Sequence, residues 1–228
     1  MSVAHSHHAL CVLHCPSAQK SVFESLSHQH QERCLFRYES LAPRDQLPPA
    51  WFERFAFGLV HSGTVIRQRI DANGNATSVD IACAGALLPL HWPLSHTQED
   101  ISSSGYAVSQ LNVCLLPLEW FEKQIDSNHQ IEHDLLRLQS EAMERMERLG
   151  DARNRGSVQE KLATLLCALA DTLKLETLLP EGLQQKDLAV LLGARHETVC
   201  RVLKDFEQRG AILRSKDGMQ IDRALLMS

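Results

Sequence analysis

An α+β chain in three successive parts is what this sequence predicts: an N-terminal β-roll of the jelly-roll kind, one long helix, and a C-terminal winged helix-turn-helix. Three observations predict it. Residues 22–118 read as short strands punctuated by Gly, Pro and Asn turns. From residue 126 the apolar side chains recur at steps of 3 and 4. Residues 188–210 hold a two-helix pattern that turns at Gly193, followed by a short hairpin. The expected partition is 1–125 for the roll with its Cys/His-containing N-terminal segment, 126–155 for the long helix and a hinge, and 156–228 for the helix-turn-helix part.

Taken in order, Pro48-Pro49 breaks the chain, and Phe55 to Ile70 is rich in apolar and β-branched residues around Ser62-Gly63. Asp71-Ala72-Asn73-Gly74-Asn75 is turn material, and Ala76 to Ala82 resumes as a strand, so a hairpin is centred near Asn73-Gly74. Tyr106-Ala107-Val108 and Leu111 to Leu115 are extended segments before Pro117. Many short strands with such turns make a small barrel or jelly roll. Ile131, Leu135, Leu138, Ala142, Met146 and Leu149 then form one helical stripe with charged flanks. The plainer reading is a helix packed on its own domain; a narrow stripe with charged flanks suits helix pairing, so a parallel dimer seam is the expectation. Gly150 to Gly156 loosens the helix. Ser157 and Glu160 form a capping-box pair ahead of Leu162, Leu165, Leu166 and Leu169. Helices are expected over 185–192 and 196–209, with Gly210 as a C-terminal cap, and a wing around Lys216-Asp217-Gly218.

Composition excludes several classes. The 228 residues carry 23 basic and 28 acidic side chains, a formal charge of −5, which argues against coating nucleic acid by bulk charge. Residues 181–228 hold 8 basic and 7 acidic groups, +1, against −6 for the rest, so any nucleic-acid reading rests on a few placed groups. The 7 cysteines include no CxxC and form no secreted disulfide framework. No apolar run is long enough to span a bilayer, and the start lacks the basic and apolar regions of a signal peptide. A cytoplasmic protein with no membrane partner is expected.

The segment Leu188-Ala189-x3-Gly193-x3-Glu197-Thr198-Val199-x-Arg201-x-Leu203-x2-Phe206-x3-Gly210 is a helix-turn-helix pattern. Val199 and Leu203 face the first helix, leaving His196, Glu197, Cys200, Arg201 and Lys204 as a polar, long-armed face. Such a helix can enter the major groove, where arginine pairs bidentately with guanine and glutamate accepts from cytosine. Glu197 and Arg201 also have the spacing of a surface salt bridge, the plainer explanation for the pair alone. Gln185 and Lys186 are placed to reach phosphates, which position without specifying.

Here the chain resembles the CRP/FNR superfamily of bacterial transcription regulators. His196 to Leu203 is similar to its recognition helix, Val158 to Ala163 to the start of its DNA-binding domain, and Ser62-Gly63-Thr64-Val65 to its β-roll signature. The resemblance implies a sensory roll, a long dimerisation helix, a homodimer on two-fold symmetric double-stranded DNA, and RNA polymerase as a partner. It gives Glu197 and Arg201 the base-reading roles. His196 stands where the cyclic-AMP-binding branch has arginine, and Cys200 where the oxygen-sensing branch usually has serine.

For the signal, the stretches corresponding to the phosphate cradle read Ala84-Gly85-Ala86-Leu87 and Ser103-Ser104-Gly105-Tyr106, with no arginine between Arg69 and Arg137, so cyclic AMP is not expected. Cys114 matches a cluster-ligand position of the FNR-like, oxygen-sensing branch. With Cys11, Cys15 and Cys34 it makes four thiolates, the number a [4Fe–4S] cluster requires, although the N-terminal spacing departs from that branch. From Cys34 to Ser62 the chain is also shorter than in that branch. Cys83 is a further candidate ligand. A thiol–disulfide switch, haem or another metal with His5, His7, His8 and His14, and a small organic effector stay open beside the cluster. Cys114 alone reads equally as a small core residue, and Cys167 as core. Cys200 is either an oxidisable thiol on the reading helix or a replacement for serine. An enzyme on a cupin-like roll would need converging His and carboxylate ligands; His61, His91 and His96 have no HxH spacing, so no enzyme is expected.

Overall fold

The computed structural model describes residues 37–90, 102–125, 129–172, 178–179, 182–215 and 218–228. Its local signals fold as their chemistry dictates. Asp71 accepts hydrogen bonds from the Asn73 and Asn75 amides at 2.9 and 2.8 Å, Gly74 takes a positive φ, and the hairpin of β3 (Thr64–Ile70) and β4 (Ala76–Cys83) closes there. Gly63 turns β2 (Phe55–Ser62) into β3 with φ +88°. A Cβ there would lie 2.1 Å from the Gln110 carbonyl oxygen, so only glycine fits.

Two antiparallel sheets form the roll. β1 (Arg37–Leu41), β7 (Leu111–Pro117), β2 and β5 (Leu87–Pro89) pair in the order β1-β7-β2-β5. The second runs β4-β3-β6, with β6 at Ser102–Ala107. Val60, Val65, Leu88, Leu111, Val113 and Leu115 pack between them with Trp51. Trp51 lies on α1 (Pro49–Arg54), a helix in place of the expected break. Pro49 sits in the first turn, where a missing N–H costs nothing.

β2 is buried on both faces, which is why Phe55 to Val60 reads as a continuous apolar run and not an alternation. Its outer cover is α2 (Leu118–Ile125) and the long helix α3 (His129–Arg153): Phe57, Leu59 and Leu116 meet Phe121, Leu135 and Leu138.

This corrects the expected dimer seam. Leu135, Leu138, Ala142 and Leu149 are all buried within one chain, Leu149 against the C-terminal domain core. Met146 is half-buried, with its sulfur accepting from an Arg67 guanidinium N–H at 3.5 Å, and the Ile131 side chain lies outside the described residues. A stripe at steps of 3 and 4 specifies an apolar face, not what covers it; here the roll does. Among the described residues, the large apolar side chains that α3 leaves exposed are Leu136 (57%) and Met143 (55%), on a separate face.

After α3 the chain turns through 154–157, and the capping box forms as expected: the Ser157 amide donates to Glu160 at 2.7 Å and the Glu160 amide to the Ser157 hydroxyl at 3.1 Å. Then follow α4 (Val158–Thr172), β8 (Leu178–Leu179), α5 (Gln185–Leu192), α6 (His196–Gln208), the hairpin β9 (Ile212–Ser215) and β10 (Gly218–Ile221), and α7 (Arg223–Leu226). β8 adds to β10 as a third strand that the sequence reading missed. Its core of Leu162, Leu166, Leu188, Leu191, Val199, Leu203 and Phe206 is continuous with Ile66, Ile81 and Val108 of the roll.

Candidate nucleic-acid interface

Two short helices and a left-handed glycine build the site. α5 ends at Gly193, whose φ of +62° lets the chain reverse, and the Ala194 amide closes back on the Ala189 carbonyl at 3.0 Å. α6 then buries Val199, Leu203 and Phe206 against α5 and α4. That anchoring fixes the opposite face.

On that face His196, Glu197, Arg201 and Lys204 are exposed. The salt bridge that would explain Glu197 and Arg201 does not form: among the described residues neither side chain has a hydrogen-bond or ion-pair partner. Lys204 and Lys186 are likewise exposed and unpaired among the described residues. Arg195, exposed at the N-cap of α6 and equally unpaired there, extends the face; sequence reading passed over it, although its place directly after the Gly193-Ala194 turn marked it.

Farther along, the charges are consumed. Arg209 pairs with Asp205 at 3.0 Å and lies over the Phe206 ring, and Arg214 of the wing pairs with Glu207. Cys200 is half-buried and points sideways: its thiol donates to the Gln185 amide oxygen at 2.8 Å and lies 3.4 Å from the His196 ring. It therefore links the start of α5 to α6, and Gln185 is partly engaged inside the motif.

The family model described as a Crp-like helix-turn-helix domain matches residues 160–227. The chain carries a Crp-like helix-turn-helix domain. The solved structures extend the likeness to the whole architecture. FixK2 from Bradyrhizobium japonicum is 17% identical with a TM-score of 0.66, covering 84% of this chain and 96% of that one. A CooA double mutant from Carboxydothermus hydrogenoformans is 18% identical, TM-score 0.61, covering 84% and 86%. A cyclic nucleotide-binding domain containing protein from Listeria monocytogenes EGD-e is 13% identical, TM-score 0.67, covering 90% and 99%. No curated protein matches by sequence. The fold is the one these solved structures share, with the Crp-like domain at its C-terminal end.

Three charged groups meet where the roll faces α3, upstream of the Crp-like domain. Arg145 donates to both Asp80 carboxylate oxygens at 3.1 and 3.0 Å and to the Leu87 carbonyl at 2.8 Å. Arg67 lies beside this pair; burial pulls its guanidinium below the ordinary value, with Asp80 opposing. Among the described residues the Arg67 Nε and the neighbouring Ser78 hydroxyl have no hydrogen-bond partner. The stretch without arginine between Arg69 and Arg137 does not reveal this cluster, because its arginines lie just outside that stretch, on β3 and on α3.

The cysteines divide by environment. Cys114 is half-buried and packs against the apolar cluster that includes Phe57, Leu116 and Phe121. Burial pushes the Cys83 thiol up to about 12, the Thr64 hydroxyl at 3.5 Å opposing, and also raises Cys167, half-buried against the C-terminal core. Cys11, Cys15, Cys34, His5, His7, His8, His14, His91 and His96 lie outside the described residues. Among the described residues no group of three or more His, Cys, Asp or Glu could hold a metal. Nor is any described helix long and apolar enough to cross a membrane.

Proposed function

We propose that this chain is a sequence-specific DNA-binding transcription regulator that acts as a homodimer and makes no enzymatic turnover. The observation that carries the reading is the set of three charges on α6 that have no partner among the described residues: a face with Glu197, Arg201 and Lys204 held out on a buried backing has the reach and the chemistry to read base edges. A two-fold dimer supplies a second copy of α6 for the adjacent half-site. Leu136 and Met143, seven residues apart and exposed on α3, are the apolar groups we assign to the dimer contact in place of the buried stripe.

For the signal we keep the cysteine set. Register supports it: Tyr38 of β1 lies opposite Cys114 of β7, and Cys34 precedes Tyr38 by four residues, a span of at most about 14 Å. Cys114 with Cys11, Cys15 and Cys34 would hold a [4Fe–4S] cluster, which supplies oxygen-sensitive redox chemistry when bound. The residues of this chain do the rest: α3 carries the state of the roll to the Crp-like domain, and RNA polymerase reads the bound dimer.

The test is footprinting on DNA selected by the wild-type protein. Arg201→Ala is expected to weaken specific binding by about 1–3 kcal/mol per half-site while leaving the oligomeric state intact. An unchanged footprint would overturn the assignment of α6 as the reading helix. Anaerobic purification tests the signal: a colourless, iron-free protein sinks the cluster.

A further inference from the structure

The first helix of the helix-turn-helix, α5, is held at both ends by arginines from outside the Crp-like domain. At its N-terminus Asp187 is 0% exposed, yet its carboxylate is fully engaged. Arg44, in the loop after β1, donates to Asp187 Oδ1 at 2.7 Å, and its other terminal nitrogen donates to the Gly182 carbonyl. Tyr106 of β6 donates its hydroxyl to the same Oδ1 at 3.0 Å, and the Gln184 amide donates to Oδ2 at 2.7 Å. Burial first, then the Asp187 charge, pushes the Tyr106 phenol up, so it remains a donor. At the C-terminus Arg153, the last residue of α3, donates to the Leu191 carbonyl at 2.6 Å and to the Ser78 carbonyl of β4. A helix end carries unsatisfied carbonyls and partial negative charge, which a guanidinium complements.

We infer that Arg44, Tyr106 and Arg153 are positioning residues for DNA reading: they clamp α5 to the roll and thereby set the direction in which α6 presents its face. The inference rests on the DNA-binding reading above. Three observations give it direction. The clamp groups come from three separate elements that precede the Crp-like domain, so each reports the state of the chain outside it. α6 is bound to α5 through Val199 and Leu203 and through the Cys200–Gln185 contact, so orientation passes from one helix to the other. The polar face of α6 is exposed in the clamped arrangement, so the clamp orients the reader and does not cover it. Releasing it adds orientational freedom that DNA binding must then remove.

Two measurements on the full-length chain test this. Amide hydrogen exchange across residues 182–192 is expected to rise several-fold in Arg44→Ala and in Arg153→Ala, with residues 55–60 unchanged as the folding control. DNA affinity on the selected site is expected to fall about tenfold in Arg44→Ala, to recover in part in Arg44→Lys, and to keep the wild-type salt slope, because no phosphate contact is removed. Tyr106→Phe, which deletes one hydroxyl, is the mild variant if the others unfold, and moves both readouts the same way by less. Exchange that stays at the wild-type level overturns the clamp. Affinity that is unchanged or tighter in a released, folded variant overturns its positioning sense. If Arg201→Ala also leaves binding unchanged, the DNA reading itself fails, and the exchange measurement still judges the clamp.

Discussion

Asp187 and Glu197 sit in the first turns of successive helices and meet opposite fates. The carboxylate of Asp187 is sealed from solvent and takes hydrogen bonds from Arg44, Tyr106 and the Gln184 amide. Glu197 is exposed, and among the described residues its side chain has no partner. The difference teaches where this chain spends charge. Along the surface between roll and helices, Arg44, Arg145 and Arg153 are committed to acceptors of other elements. On α6, Glu197, Arg201 and Lys204 are kept uncommitted. A committed charge is costly to disturb, because its partner is left stranded. An uncommitted one contributes little to stability and is available to a ligand.

The sharpest way to break that contrast is Arg145→Met. It leaves Asp80 buried without the guanidinium that holds both its oxygens, and is expected to destabilise the chain by about 3–5 kcal/mol in urea unfolding. Arg201→Ala, by the same measurement, is expected to leave stability within about 0.5 kcal/mol. Equal losses in the two variants would erase the distinction. Next in size is Leu136→Glu. It is expected to weaken self-association about 30-fold in sedimentation while preserving helix content. A wild-type association constant would move the dimer contact elsewhere.

The smallest effect comes from a committed charge at the surface. Glu160 is held below the usual carboxylate range, first by the Ser157 amide and then by the Ser157 hydroxyl. Because the folded value is depressed, its stabilisation is present above the ordinary carboxylate value and is lost as pH falls through the folded one. The melting difference between wild type and Glu160→Gln is therefore expected to shrink from neutral pH into the acid range. A difference that stays constant with pH would remove the capping carboxylate from the account.

Much of this was legible in the sequence. Turns announced themselves because Gly63, Gly74, Gly193 and Gly210 supply backbone conformations that other residues resist, and each lies at a positive φ. The reading face was legible because its periodicity and its residue types agree, and they belong to one short helix. What was not legible depends on contacts between distant segments. The α3 stripe showed an apolar face but could not show that Phe57, Leu59 and Leu116 cover it. Arg44 and Asp187 are 143 residues apart, and no local pattern links a loop arginine to the third position of a helix. Asp187 was passed over for the same reason, since an acidic residue in a first helical turn is ordinary by itself.

The Asp80–Arg145 pair has one more consequence, for how the hairpin finds its alignment. Arg67 lies opposite Asp80 across β3 and β4, and an irregularity follows between Arg67 and Gln68. Sliding one strand past the other by a single residue would send every side chain to the wrong side of the sheet. Val79 would then face α3 in place of Asp80, and Arg145 would meet a methyl group where it now meets a carboxylate. Apolar sorting and ionic pairing thus select the same alignment. A charge that contributes little net energy once formed still rejects the mispaired sheet, and so gives the roll a single way to close.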